Sequence, residues 1–179
     1  MNDIKEMVWL FPILFIFHDF EEIIFMQPWL RRNRSYLCKR FPTLSKRLLV
    51  HFDHITTSSF AFGVAEEFIL ISIITIVSYM TNRYILWAGF FIAFTLHLVI
   101  HCFQALMVRK YVPAIITSMI CLPICLNIIK YIVKSFQLNT IVLYSILAFI
   151  IMVVNLILIH KGMVMFSKWL TQYEEQIKS

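Results

Sequence analysis

Charge is scarce in this chain. Asp, Glu, Lys and Arg make up 15% of its 179 residues, where a soluble domain carries about 25%. Glycine and proline are sparse too, with three and five copies, and no internal repeat or low-complexity tract is present. Against these shortages, 60% of the residues are hydrophobic and the mean hydropathy is +0.80. A freely soluble domain is excluded. At this length, the composition is that of a single integral membrane domain. The cysteines Cys38, Cys102, Cys121 and Cys125 do not make a disulfide framework. Three of them lie in apolar runs and read as small buried hydrophobes.

The period-two alternation of a membrane strand is also missing. Continuous Ile, Leu, Phe and Val fill five runs instead, at about 6–27, 56–80, 85–107, 115–133 and 140–159. Each approaches the roughly 20 residues with which a helix crosses ~30 Å of hydrocarbon. The fold expected is therefore an all-α bundle of five transmembrane helices. The first run has neither a basic leader nor a small-residue cleavage site, so it reads as a span and not as a signal peptide. The tail "MVMFSKWLTQYEEQIKS" reads as a short amphipathic helix on the membrane surface.

Seven Lys and Arg residues fall in 28–50, after the first run. Together with Arg109, Lys110, Lys161, Lys168 and Lys178 they put twelve on one side of the membrane, against Lys5, Arg83, Lys130 and Lys134. Basic loops stay inside, so the N-terminus is expected outside, the C-terminus and the 28–50 loop in the cytoplasm, and the protein in the cell membrane. The net charge of +6 then reports topology, and no nucleic-acid partner is expected.

Polar residues are unevenly spread through the runs. "HDFEE" stands in the first, "GVAEEF" in the second and "HLVIHCFQ" in the third, while the fourth and fifth hold nothing ionisable at depth. Counting from the ends brings His18, Glu66, Glu67 and His97 to one level. Glu21, Glu22 and His101 follow about one turn closer to the cytoplasm. A lone intramembrane His or Glu is ordinarily a packing residue. Seven in one layer, each costing about 2.5–3.5 kcal/mol to insert when charged, point to a shared site.

Imidazoles and carboxylates together are a metal-ligand set. His18, Glu22, Glu66, His97 and His101 are the expected ligands, with Glu21 and Glu67 as ligand, general base or proton relay. Two divalent ions would balance four glutamates, as in dinuclear carboxylate bundles. One ion on three histidines with an open position is the competing design. Iron would imply oxidation and zinc hydrolysis, with manganese a further candidate. Asp19 points about 100° from His18 and is expected to hydrogen-bond a histidine of the third run. His51, His54 and His160 are expected at the membrane edge, outside the site.

"HDFEE", with "AEEF" and "HLVIH" further on, resembles the HXXEE family, named for that motif, over most of the first three runs. The resemblance implies that His18, Glu21 and Glu22 act as a unit, and it carries no activity with it. The HxxxH pair His97/His101 is also similar to those of membrane desaturases and of ceramidase-like hydrolases. The former need more histidine boxes and the latter more helices, so neither membership is supported.

A membrane-embedded metalloenzyme follows as the leading expectation, acting on a lipid or other hydrophobic molecule within the bilayer. An ion- or proton-coupled transporter using the same cluster is the alternative, and a structural subunit the third reading.

Overall fold

The computed structural model describes residues 2–178, and every regular element among them is a helix. In order these are α1 (Asn2–Met7), α2 (Leu10–Arg40), α3 (Pro42–Asp53), α4 (Thr57–Thr81), α5 (Ile85–Val108), α6 (Ile115–Ser135) and α7 (Leu138–Lys178). Helix α5 is central. It packs along α7 and α6, while α2 lies against α4, α6 and α3.

Among the described residues four helices, α4 to α7, are long and apolar enough to cross a membrane, where the sequence led us to expect five. The difference lies in α2. Its apolar stretch carries Asp19, Glu21 and Glu22, and three carboxylates cancel the hydropathy that defines a span.

Two further expectations change. Residues 28–50 are helical, not a loop. Helix α2 runs through Pro28 to Arg40, and α3 follows after Phe41. That extension is tied down along its length. Trp29 Nε1 donates to the Tyr111 carbonyl (2.6 Å), Tyr36 Oη to the Val108 carbonyl (2.7 Å), and Arg34 grips Asp53 through both carboxylate oxygens (2.6 and 2.8 Å). The expected separate C-terminal helix is instead the far part of α7, continuous over 41 residues. Nothing between 159 and 165 breaks it, because Gly162 is the one weak helix former there.

The core around the site is aromatic. Phe11 of α2 meets Trp87, Phe91 and Phe94 of α5 at ring separations of 5.4–6.0 Å, and Trp87 stacks on Phe91 at 5.1 Å. Phe11, Trp87 and Phe91 are essentially inaccessible. Their packing fixes α2 against α5 two turns from His18. On the other side of α5, Gly89 lets α7 come close. A Cβ there would stand 2.5 Å from the Tyr144 backbone oxygen, so only glycine fits this crossing.

Candidate metal centre

In an α-helix, residues three and four positions on lie about 60° to one side and 40° to the other of the starting residue. His18 of α2 is therefore flanked by Glu21 and Glu22, which turn towards different neighbours. Glu22 turns to α5, where its Oε1 lies 3.2 Å from His101 Nε2. His97, one turn earlier on α5, brings its Nε2 to 3.0 Å from the same nitrogen. The His18 ring lies 5.4 Å from that of His97 and 5.0 Å from that of His101.

His18, Glu22, His97 and His101 thus each present one ligand atom, and these atoms all lie within 4.8 Å of one another. Ligands at about 2.0–2.1 Å from a tetrahedral ion stand roughly 3.3 Å apart, so a small contraction closes the set. His18 is fully buried, and its Nε2 has no hydrogen-bond partner among the described residues. A buried imidazole nitrogen without a partner is costly, and a metal ion on its lone pair removes that cost. The donor set fits a divalent ion with mixed imidazole and carboxylate ligands.

Glu21 turns the other way, to α6. The chain enters α6 through Pro113 and Ala114, and Ala114 adopts a left-handed conformation (φ 73°) with no side-chain cap. The first N–H groups of α6 therefore need an acceptor from elsewhere. Glu21 supplies it. Its carboxylate accepts from the Thr117 N–H (2.8 Å), the Ile116 N–H (3.4 Å), the Thr117 hydroxyl (2.7 Å) and the Tyr111 hydroxyl (2.7 Å). A carboxylate at a helix N-terminus also meets the positive end of the helix dipole. Burial, and after it the bond to Glu21, pushes the Tyr111 phenol above its ordinary range.

Thr117 links this cap to the cluster, since its Oγ1 is also 3.2 Å from His18 Nδ1. A hydroxyl has one proton, and the closer, charged acceptor is Glu21. Thr117 therefore donates to Glu21 and accepts from His18 Nδ1–H. His18 is held as the Nδ1–H tautomer, with its Nε2 lone pair turned to the cluster.

The remaining expected residues are placed apart from the four. Glu66 accepts from Asn155 Nδ2 of α7 (3.1 Å). Glu67, about 100° round the helix, lines a cavity of about 620 Å³ shared with Asp19, Glu22, His97 and His101. Asp19 faces this cavity. Its buried Oδ2 has no hydrogen-bond partner, where a bond to a histidine of α5 was expected. His160, expected at the membrane edge outside the site, instead lines this cavity and lies against the Phe52 ring at 6.3 Å. His54 is exposed, and the side chain of His51 lies outside the described residues.

Residues 9–128 match a family described as proteins of unknown function with an HXXEE motif. The chain belongs to the HXXEE family. The motif is His18-Asp19-Phe20-Glu21-Glu22, and in this family member its three named positions divide into two members of the cluster and one helix cap. No curated protein and no solved structure matches the chain. Thr117 and Tyr111 were missed by reading the sequence. For Thr117 a signal existed. "YVPAIIT" announces a helix start after Pro113 without a Ser, Thr, Asp or Asn cap, and such a start needs an acceptor from another element.

Proposed function

We propose that this protein is a membrane-embedded metalloenzyme. It holds one divalent ion on His18, Glu22, His97 and His101 and acts on a lipid or other hydrophobic molecule. The observation that carries the reading is the convergence of four ligand atoms within 4.8 Å, one of them the buried, unpartnered Nε2 of His18. A dinuclear centre would draw on Glu21 and Glu66, but the first caps α6 and the second is bonded by Asn155. A divalent ion in this site would supply Lewis acidity if zinc, or redox chemistry if iron or manganese.

The protein's own residues supply the rest. Glu21 and Thr117 orient His18. Glu67 borders the ligand set from α4 and serves as general base or proton relay for a molecule in the cavity. Five helices cross the membrane, α2 included, with the N-terminus outside. Supporting this are the apolar flanks of the α2 carboxylates and the concentration of basic residues in 28–50.

A transport reading draws on one observation. Asp19 and Glu67 line the cavity next to the ligands and would offer a leaving ion its next partners.

Elemental analysis of protein purified after growth with iron, zinc and manganese tests the proposal. The expected count is about one ion per chain, lost in His18→Ala and His97→Ala and kept in His160→Ala. No ion in folded wild type would overturn the metal centre. An ion that exchanges freely on dilution would favour transport.

A further inference from the structure

The cavity beside the cluster is long, and the ligands stand at its middle. Along α4 its lining runs from Phe60 to Ile74, about 21 Å at helical rise, with Glu67 midway. Along α5 it runs from Phe90 to Val108, about 27 Å, with His97 and His101 each about 10 Å from the nearer end. A round space of the same volume, about 620 Å³, would be only about 11 Å across, half the length that the rise of α4 gives.

The two lobes differ. Away from α3 the described lining is wholly apolar, from Phe11 and Phe15 of α2 through Ile71 and Ile74 of α4 to Phe90 of α5 and Ile151 of α7. Its exposed members, Leu70 and Ile151, offer a head group only hydrocarbon. Asp19, Glu67, Gln104 and Asn155 stand with the ligands or about one turn from them. The α3 lobe carries the other polar lining. This is Ser45 of α3, His160 against the Phe52 ring, and Trp29, whose N–H is already given to the Tyr111 carbonyl. The α3 lobe also reaches the surface, where Leu44 and Met107 are 57% and 59% exposed and Lys46 is exposed next to Ser45.

We infer that the cavity holds one single-chain amphiphile threaded along its length, with its polar head at the α3 end and its terminal methyl between Ile74 and Phe90. Carbons from the middle of the chain, not the head, then lie at the ligands. The inference rests on the proposed function for the lipid-like occupant, and adds its direction and the part it presents to the ion.

Occupancy decides between the two ways such a molecule can lie. With the head at the ligands, the tail fills one lobe and leaves the other vacant. A vacant lobe forfeits the packing contacts its lining can make. A threaded chain fills both. Direction follows from the walls. In the far lobe a polar head would be buried without a hydrogen-bonding partner, which is costly. At the α3 end it meets Ser45, His160 and, past Leu44, water. The arrangement is independent of the protonation of Asp19 and Glu67, because a hydrocarbon segment exchanges no hydrogen bond with them.

The experiment uses the full chain in lipid nanodiscs and octadecanoic acid with a diazirine beside the carboxyl, at mid-chain or beside the terminal methyl. Labelled residues are found by mass spectrometry, and metal content is measured on the same samples. The head probe is expected at Leu44, Ser45 or Met107, the mid-chain probe at Glu67 or Gln104, and the tail probe at Ile74 or Phe90. Ile74→Trp, which fills the far lobe, should abolish the tail label at Phe90 and keep the head label. If that variant does not fold, the wild-type labels decide alone. A head label at the ligands, a tail label at the α3 end, or one set of residues labelled by all three probes would overturn the inference. Failure of the two readings is separable. Ordered labels in protein that holds no ion sink the metal centre alone, and metal-loaded protein with the head at the ligands sinks this inference alone.

Discussion

Thr117 shows how much one hydroxyl can control. It receives the His18 Nδ1 proton, gives its own to Glu21, and donates its backbone N–H to the same carboxylate. Removing a group that orients a metal-bound histidine typically costs 10–100-fold in affinity. Thr117→Val is therefore expected to weaken metal binding by about 10–100-fold, and Thr117→Ser to restore it, as measured by competition with a chelator. Nitrogen-15 shifts of His18 in metal-stripped protein should report Nδ1–H in wild type and a mixture of tautomers in the valine variant. Glu66 and Glu22 make a second contrast. Glu22→Gln is expected to lose the ion and Glu66→Gln to keep it, because only Glu22 lies in the ligand group. Loss of metal from the Glu66 variant, with the protein still folded, would bring the dinuclear centre back.

At the scale of elements, the site depends on α5 being held from both sides. Gly89 sets the approach of α7. Gly89→Ala puts a methyl 2.5 Å from a backbone oxygen that cannot step aside, and such overpacking typically costs about 1–3 kcal/mol. Gly162→Ala meets only ordinary contact at 3.7 Å and should be neutral or stabilising, by up to about 1 kcal/mol of helix propensity. Thermal unfolding of both variants in detergent checks the pair. The α2–α3 contact is a different case. Hydrogen bonds from Arg34 hold the Asp53 carboxyl below its ordinary value of 3.8. A carboxylate with a lowered value contributes above that ordinary value and loses its contribution as the pH falls through the lowered one. Both side chains are about half exposed, so the contribution is small. Spin labels on α2 and α3 should keep their distance at neutral pH, and the distance should broaden only when the medium falls below pH 3.8.

For the whole molecule, the open quantity is its direction in the bilayer. Cys38 stands exposed on the basic extension of α2, while Cys121 and Cys125 are buried and Cys102 is half-buried. The native chain thus carries its own reporter. If the basic stretch is cytoplasmic, an impermeant maleimide should label Cys38 in inside-out vesicles and leave intact cells unlabelled. Labelling from outside would reverse the proposed orientation. It would leave the metal centre intact, since the cluster does not depend on which face is which.

Helical class and the histidine–carboxylate layer were legible in the sequence because both rest on local rules. Long apolar runs exclude strands, and the three- and four-residue spacings put His18 beside Glu21 and Glu22, and His97 beside His101. The ends of α4, α5 and α6 were legible to within two residues, but the far ends of α2 and α7 were not. Hydropathy marks where lipid would stop, whereas α2 continues because Trp29, Tyr36 and Arg34 find partners on α5, on α3 and in the Tyr111 connection. Nor could spacing tell Glu21 from Glu22. Each flanks His18 equally well, and which one joined the cluster was decided by what stood opposite. Glu22 met the two histidines of α5. Glu21 met the uncapped start of α6, whose free N–H groups hold a carboxylate in place. The same holds for Glu66 and Glu67, separated only by the direction in which α7 lies. Sequence fixes the angle between neighbouring side chains on a helix. Only the packing of helices decides which of them faces the site.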